Sequence, residues 1–137
     1  LARIVGACQE LRGQRLFQYL DENGQRRSIE SHDVNDYIRA VAGEDFSAKD
    51  FRTWYGSLAA LEALSLQPAP ATKTEAKKAM NLCIKAVAGL LGNTPAVCRA
   101  AYIHPRVLEA FETSALPKRR ASSERARELA LLRLVAS

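Results

Sequence analysis

Residues 74–105 read TEAKKAMNLCIKAVAGLLGNTPAVCRAAYIHP. From Thr74 to Leu91, the apolar residues Met80, Cys83, Ile84, Val87 and Leu91 recur three or four positions apart, which predicts an amphipathic helix with one inward face. Gly92 stops it, because glycine enters the left-handed conformation at a helix end without a Cβ penalty. Thr94 followed by Pro95 restarts the chain: a side-chain cap, then a first-turn proline whose missing N–H is no loss there. The new helix closes near Tyr102, since His104 precedes Pro105 and is biased out of the helical region. Pro105, Val107, Leu108 and Phe111 predict one more helix. The run therefore predicts a mainly α fold.

The flanks agree. Upstream, Ser47 with Asp50 forms a capping box for a helix whose stripe is Phe51, Trp54, Tyr55, Leu58 and Leu61, ending near Leu64. Before it, Ser31 or Asp33 caps a helix with Val34, Tyr37, Ile38 and Val41 on one face and Gly43 as terminator. Residues 16–20, a turn over Asp21-Glu22-Asn23-Gly24 and residues 25–29 predict one short β-hairpin. Leu1, Ile4, Val5, Cys8 and Leu11 predict a first helix ended by Gly13. The two prolines of Gln67-Pro68-Ala69-Pro70-Ala71-Thr72 make a connecting loop, and residues 123–136 form the last helix. The expected organisation is one domain, residues 1–116 carrying its main part and residues 117–137 a basic linker and C-terminal helix.

The chain has 137 residues, 47% apolar and 26% charged, enough for one substantial core. No run of 18 apolar residues occurs, and the start lacks a signal-peptide layout, so a cytoplasmic monomer without a membrane partner is expected. Met80 is the only methionine, and the segment is expected to belong to something longer than the stretch beginning at Leu1. Cys8, Cys83 and Cys98 are odd in number and lie among apolar residues, as reduced thiols do. His32 and His104 form no ligand pattern with them, so no metal and no cofactor is expected. The net charge of +5 favours an anionic partner without naming it. Most of it sits in the last stretch, where Lys118, Arg119, Arg120, Arg125, Arg127 and Arg133 face only Glu124 and Glu128.

Three stretches stop looking generic. Asp33-Val34-Asn35-Asp36-Tyr37-Ile38-Arg39 and Ser47-Ala48-Lys49-Asp50-Phe51-Arg52-Thr53-Trp54 resemble two blocks of bacterial, poxvirus-like DNA topoisomerases of type IB. Leu91-Gly92-Asn93-Thr94-Pro95-Ala96-Val97-Cys98-Arg99-Ala100-Ala101-Tyr102-Ile103-His104-Pro105 resembles the block around that family's active tyrosine. The resemblance covers roughly residues 1–116. It implies the helical catalytic domain shared by type IB topoisomerases and tyrosine recombinases, here its C-terminal part, acting on double-stranded DNA. It also implies that Tyr102 attacks a phosphate to leave a 3′-phosphotyrosyl link and a free 5′-hydroxyl, so that supercoils relax without ATP.

The residue chemistry fits that implication. Phosphoryl transfer builds charge on two non-bridging oxygens, and an arginine fork is shaped to neutralise them. Arg52 lies in the second turn of its helix, where backbone dipoles favour an anion, with Phe51 and Trp54 near its stem; read without the family block, it is an ordinary helix-surface arginine. Asn93 can donate an amide to a phosphate oxygen where many relatives have histidine, or it can support the turn after Gly92. A free tyrosine is protonated near neutral pH, so Tyr102 needs cationic help to attack; otherwise it is a packing residue. Lys49 matches a family lysine or histidine near the phosphate. Arg99, Lys73, Lys77 and Lys78 are candidate phosphate-backbone contacts, and each read singly is a solvated charge. His104 reads as structural.

The family also uses an arginine and a general-acid lysine upstream of this region, so the isolated segment is expected to relax DNA poorly and to depend on an upstream part of the same polypeptide. Two rivals stand beside the topoisomerase reading. A tyrosine recombinase shares the fold but usually carries histidine where this chain has Lys49 and Asn93. A noncatalytic helical DNA-binding module explains the charge but not Arg52, Asn93 and Tyr102 together.

Overall fold

A computed structural model describes residues 17–117 and 123–136. Two compact units divide the chain, Leu1–Ala48 and Lys49–Ser137. The helix predicted over residues 1–11 lies outside the described residues.

In the first unit, β1 (Gln18–Leu20) pairs antiparallel with β2 (Arg26–Ser28), Tyr19 opposite Arg27. Asp21 organises the turn: its Oδ1 accepts from the N–H groups of Asn23 (3.0 Å) and Gln25 (2.8 Å), and its Oδ2 from Arg27 Nε (3.0 Å). These donors, the Gln25 N–H first, hold its carboxyl below the usual range. Gly24 takes the left-handed conformation, φ 71°, so the Asn-Gly signal is used at the glycine alone. Helix α1 (Ser31–Ala42) follows and ends at Gly43, φ 110°.

One expectation about α1 is corrected. The N-cap is Glu30, neither Ser31 nor Asp33; Asp33 serves as the third helical residue, its Oδ2 accepting from the Glu30 N–H at 2.7 Å. The apolar face of Val34, Tyr37, Ile38 and Val41 is not buried among the described residues, where Tyr37 and Val41 are each 70% exposed.

The second unit holds the core. It contains nearly all of α2 (Ala48–Ser65), then α3 (Lys73–Leu91), α4 (Pro95–Ala101), α5 (Pro105–Glu112) and α6 (Glu124–Ala136). Helix α3 lies centrally, packing on α4 and α5, while α5 packs on α6. Its predicted face is the observed one: Met80, Cys83, Ile84 and Val87 are buried with Leu61, Leu64, Cys98, Val107, Phe111 and Leu131. Thr72 caps α3, one residue earlier in effect than Thr74 suggested, its Oγ1 accepting from the Glu75 N–H at 3.2 Å. Thr94 caps α4 in the same way through the Val97 N–H at 3.3 Å. An Arg127–Glu62 ion pair of 2.9 Å ties α6 to α2.

The stripe expected on α2 is met in part: Leu61 is buried, and Trp54 and Leu58 pack against the core. Phe51 and Tyr55 are exposed, and the buried positions are Gly56, Ser57, Ala60, Leu61 and Leu64. Small residues face inward because another stretch of backbone approaches there. That backbone is the Tyr102 segment.

Candidate active site around Tyr102

Tyr102 sits where α4 stops. Its N–H still donates to the Cys98 carbonyl at 3.0 Å, but its backbone (φ −127°, ψ −5°) has left the helix. His104 then adopts φ −64°, ψ 130° and caps α5, its Nδ1 accepting from the Arg106 N–H at 3.3 Å. The tyrosine is therefore carried on a short bridge between two helices, as the proline at 105 predicts. His104 is used structurally, as expected.

One face of α2 holds this bridge. The Thr53 hydroxyl lies 3.2 Å from the Ala101 carbonyl and 2.9 Å from the Lys49 carbonyl. Ser57 Oγ accepts from the His104 N–H at 2.9 Å, and Ser57 is buried. Between them, Gly56 lies so close to the Tyr102 carbonyl that a Cβ there would collide with it. None of these three residues stood out in the sequence, because small side chains leave no mark on a hydrophobic pattern.

The same helix carries Arg52. Its guanidinium carbon stands 4.9 Å from the centre of the Tyr102 ring, and one N–H donates to the Leu91 carbonyl at 2.7 Å. Of its neighbours on α2, Phe51 is exposed and Trp54 packs against the core. The Leu91 carbonyl belongs to the last residue of α3, where the helix dipole is negative, so a cation is favoured there. Asn93 converges on the same atom, its Nδ2 donating to the Leu91 carbonyl at 3.2 Å. Its backbone N–H closes the helix end on the Ala88 carbonyl at 2.9 Å, while Gly92 takes the positive φ of 67°.

Three predicted residues thus meet: Tyr102 and Asn93 through Arg52 and the Leu91 carbonyl. A model of the catalytic core of eukaryotic DNA topoisomerase I matches residues 1–129 of this chain. The chain belongs to that family. It is also 32% identical over 117 residues to DNA topoisomerase 1B of Acanthamoeba polyphaga mimivirus, an alignment covering 80% of the chain and 35% of the viral protein. The chain spans about a third of that relative's length.

The remaining cationic candidates divide by position. Lys49 is exposed in the first turn of α2, three residues before Arg52 and hence on the same side of the helix. Arg99 is exposed on α4, three residues before Tyr102. Lys73 and Lys77 are exposed in the first two turns of α3. At 1.5 Å per residue they lie roughly 27 and 21 Å along the axis from Leu91. They are not part of the group around Tyr102.

Two thiols lie in the core, Cys83 and Cys98. Burial pushes Cys83 up to about 11 and also raises Cys98, where the Arg52 charge opposes the shift. Both are free, while Cys8 lies outside the described residues. Among the described residues no cluster of three or more His, Cys, Asp or Glu could hold a metal ion, and no helix is long and apolar enough to cross a membrane.

Proposed function

We propose that this chain is the tyrosine-bearing, C-terminal part of a type IB DNA topoisomerase of the bacterial, poxvirus-like kind, and that Tyr102 is its nucleophile. The observation that carries the reading is the Arg52 guanidinium over the Tyr102 ring, within a chain of the topoisomerase I family. Attack by the Tyr102 Oη on a backbone phosphate forms the phosphotyrosyl bond and expels the 5′-hydroxyl, which later returns by the reverse step. The bond energy is conserved, so the cut strand swivels and reseals without ATP.

Arg52 supplies the charge. In this structure its fork rests on a neutral carbonyl and an aromatic face, two weak partners. A phosphate offers charge-assisted, two-pronged hydrogen bonds roughly twice as strong as neutral ones, so it displaces the Leu91 carbonyl. Asn93 donates to the same carbonyl and is released by the same exchange. Lys49 and Arg99 extend the positive surface on either side, and Lys73 and Lys77 hold the duplex backbone further away. The upstream part of the polypeptide supplies the general acid that protonates the leaving 5′-oxygen. The protein acts in the cytoplasm on nucleoid DNA.

The direct test replaces Tyr102 by phenylalanine in the full-length protein. Relaxation of a negatively supercoiled plasmid should disappear while duplex binding persists. Relaxation by Tyr102→Phe at the wild-type rate would refute the assignment and favour a module in which Tyr102 only packs.

A further inference from the structure

We propose that Thr53 and Ser57 are positioning residues that set the aim of Tyr102 by fixing the backbone on both sides of it to the helix that carries Arg52. The proposal rests on the reading of Tyr102 as the nucleophile.

A nucleophile and its charge partner must keep their relative geometry within a fraction of an ångström through the reaction. Tyr102 stands on a two-helix bridge where its backbone has left the helical conformation, so its own helix alone does not provide that precision. Two hydroxyls supply it instead. Thr53 donates to the carbonyl of Ala101, the residue before Tyr102, and Ser57 accepts from the N–H of His104, two residues after it. The anchors lie on either side of Tyr102, at Ala101 and His104, so they oppose sliding of the bridge along α2 in either direction. Gly56 sits between them and lets the Tyr102 backbone lie against the helix surface.

Arg52 is the residue immediately before Thr53 on the same helix. The bridge and the guanidinium are thus referenced to one rigid element, and a change in either anchor alters the approach of Oη to the phosphate that Arg52 holds. The Thr53 hydroxyl has one proton, shared between the Lys49 carbonyl at 2.9 Å and the Ala101 carbonyl at 3.2 Å, so it joins the bridge to the backbone of α2 itself.

The test uses the full-length protein as wild type, Thr53→Val, Thr53→Ser, Ser57→Ala and Tyr102→Phe. With protein in excess over a negatively supercoiled plasmid, covalent nicked complex is trapped by detergent at successive times. Binding to a labelled 30-base-pair duplex is followed by anisotropy. Thr53→Val, which keeps the shape and removes the hydroxyl, and Ser57→Ala should each form the complex about 10- to 100-fold more slowly, as expected for misplacing a nucleophile by up to 1 Å. Duplex affinity should be unchanged and the pH–rate profile should keep its shape, because the proton transfers are untouched. Thr53→Ser, which retains the hydroxyl, should recover most of the rate.

Wild-type rates in Thr53→Val and Ser57→Ala would overturn the proposal, as would rate losses matched by equal losses of duplex binding. A Thr53→Ser variant as slow as Thr53→Val would overturn the role of the hydroxyl. Failure of the underlying reading looks different: the wild type would form no covalent complex, or Tyr102→Phe would still form one.

Discussion

Replacing Gly56 by alanine puts a methyl group against the backbone of the residue proposed to cut DNA. The new Cβ would collide with the Tyr102 carbonyl oxygen and lie 3.3 Å from its carbonyl carbon and 3.2 Å from Leu91 Cδ1, where ordinary contacts run from 3.4 to 4 Å. The bridge must retreat from α2 by about 1 Å to restore normal contact distances. Because α2 also carries Arg52, that retreat changes the separation of nucleophile and guanidinium by a similar amount, and about 1 Å of misplacement costs on the order of 100-fold in rate. Overpacking costs about 1–3 kcal/mol in stability, but alanine is better than glycine within a helix by about 1 kcal/mol. The net destabilisation is therefore about 0–2 kcal/mol, which leaves a domain of ordinary stability almost entirely folded. Plasmid relaxation by the full-length protein should fall about 100-fold, while urea unfolding moves only slightly. Relaxation at the wild-type rate would refute the reasoning, since the packing leaves no room for the methyl group without moving Tyr102.

Arg52→Lys keeps the charge but loses the fork, and should slow plasmid relaxation by about 100- to 1,000-fold with little change in duplex binding; an equally fast lysine variant would show that charge alone suffices. Stability should fall between about pH 9 and 11 because of Cys83. Below this window both states keep the thiol proton; within it the unfolded chain releases the proton while the buried thiol holds it up to about 11. The two-unit difference corresponds to roughly 2–3 kcal/mol of stability lost across the window, and Cys83→Ala should remove that part of the slope in urea titrations at pH 8 and 10.5. Arg127→Ala, which breaks the partly exposed pair with Glu62, should cost less than about 1 kcal/mol and show itself chiefly as faster amide exchange in residues 124–136.

Much of the second unit was legible residue by residue. Gly92, Thr94-Pro95 and His104-Pro105 each impose a local conformation whatever surrounds them, so the ends of α3, α4 and α5 follow directly. The buried face of α3 was legible because that helix is covered by large apolar neighbours and its pattern records them. Helix α2 was legible in part: Trp54, Leu58 and Leu61 face the core as expected. Where the helix receives backbone, Gly56 and Ser57 take the buried positions while Phe51 and Tyr55 are exposed, and a hydrophobic count gives such small residues no weight. On α1 the periodicity of Val34, Tyr37 and Val41 was real, yet nothing among the described residues buries it.

The site was half legible. Arg52, Asn93 and Tyr102 were named from a resemblance carried by three stretches, and the fold brings them to the Leu91 carbonyl. That meeting depends on contacts between residues 39 apart for Arg52 and Leu91, and 47 and 48 apart for the two anchors of the tyrosine bridge. Local spacing holds no information about such pairs. Lys73 and Lys77 illustrate the converse: they were candidates for their charge alone, and the length of α3 removes them from the centre of the site.

The most direct test of the central claim is to incubate the full-length protein with supercoiled plasmid, denature it during turnover, digest protein and DNA, and map the nucleotide-bearing peptide by mass. The account predicts a single modified peptide with the nucleotide on Tyr102 through a 3′-phosphate. A nucleotide on any other residue, or none under conditions where duplex binding is verified, would contradict it.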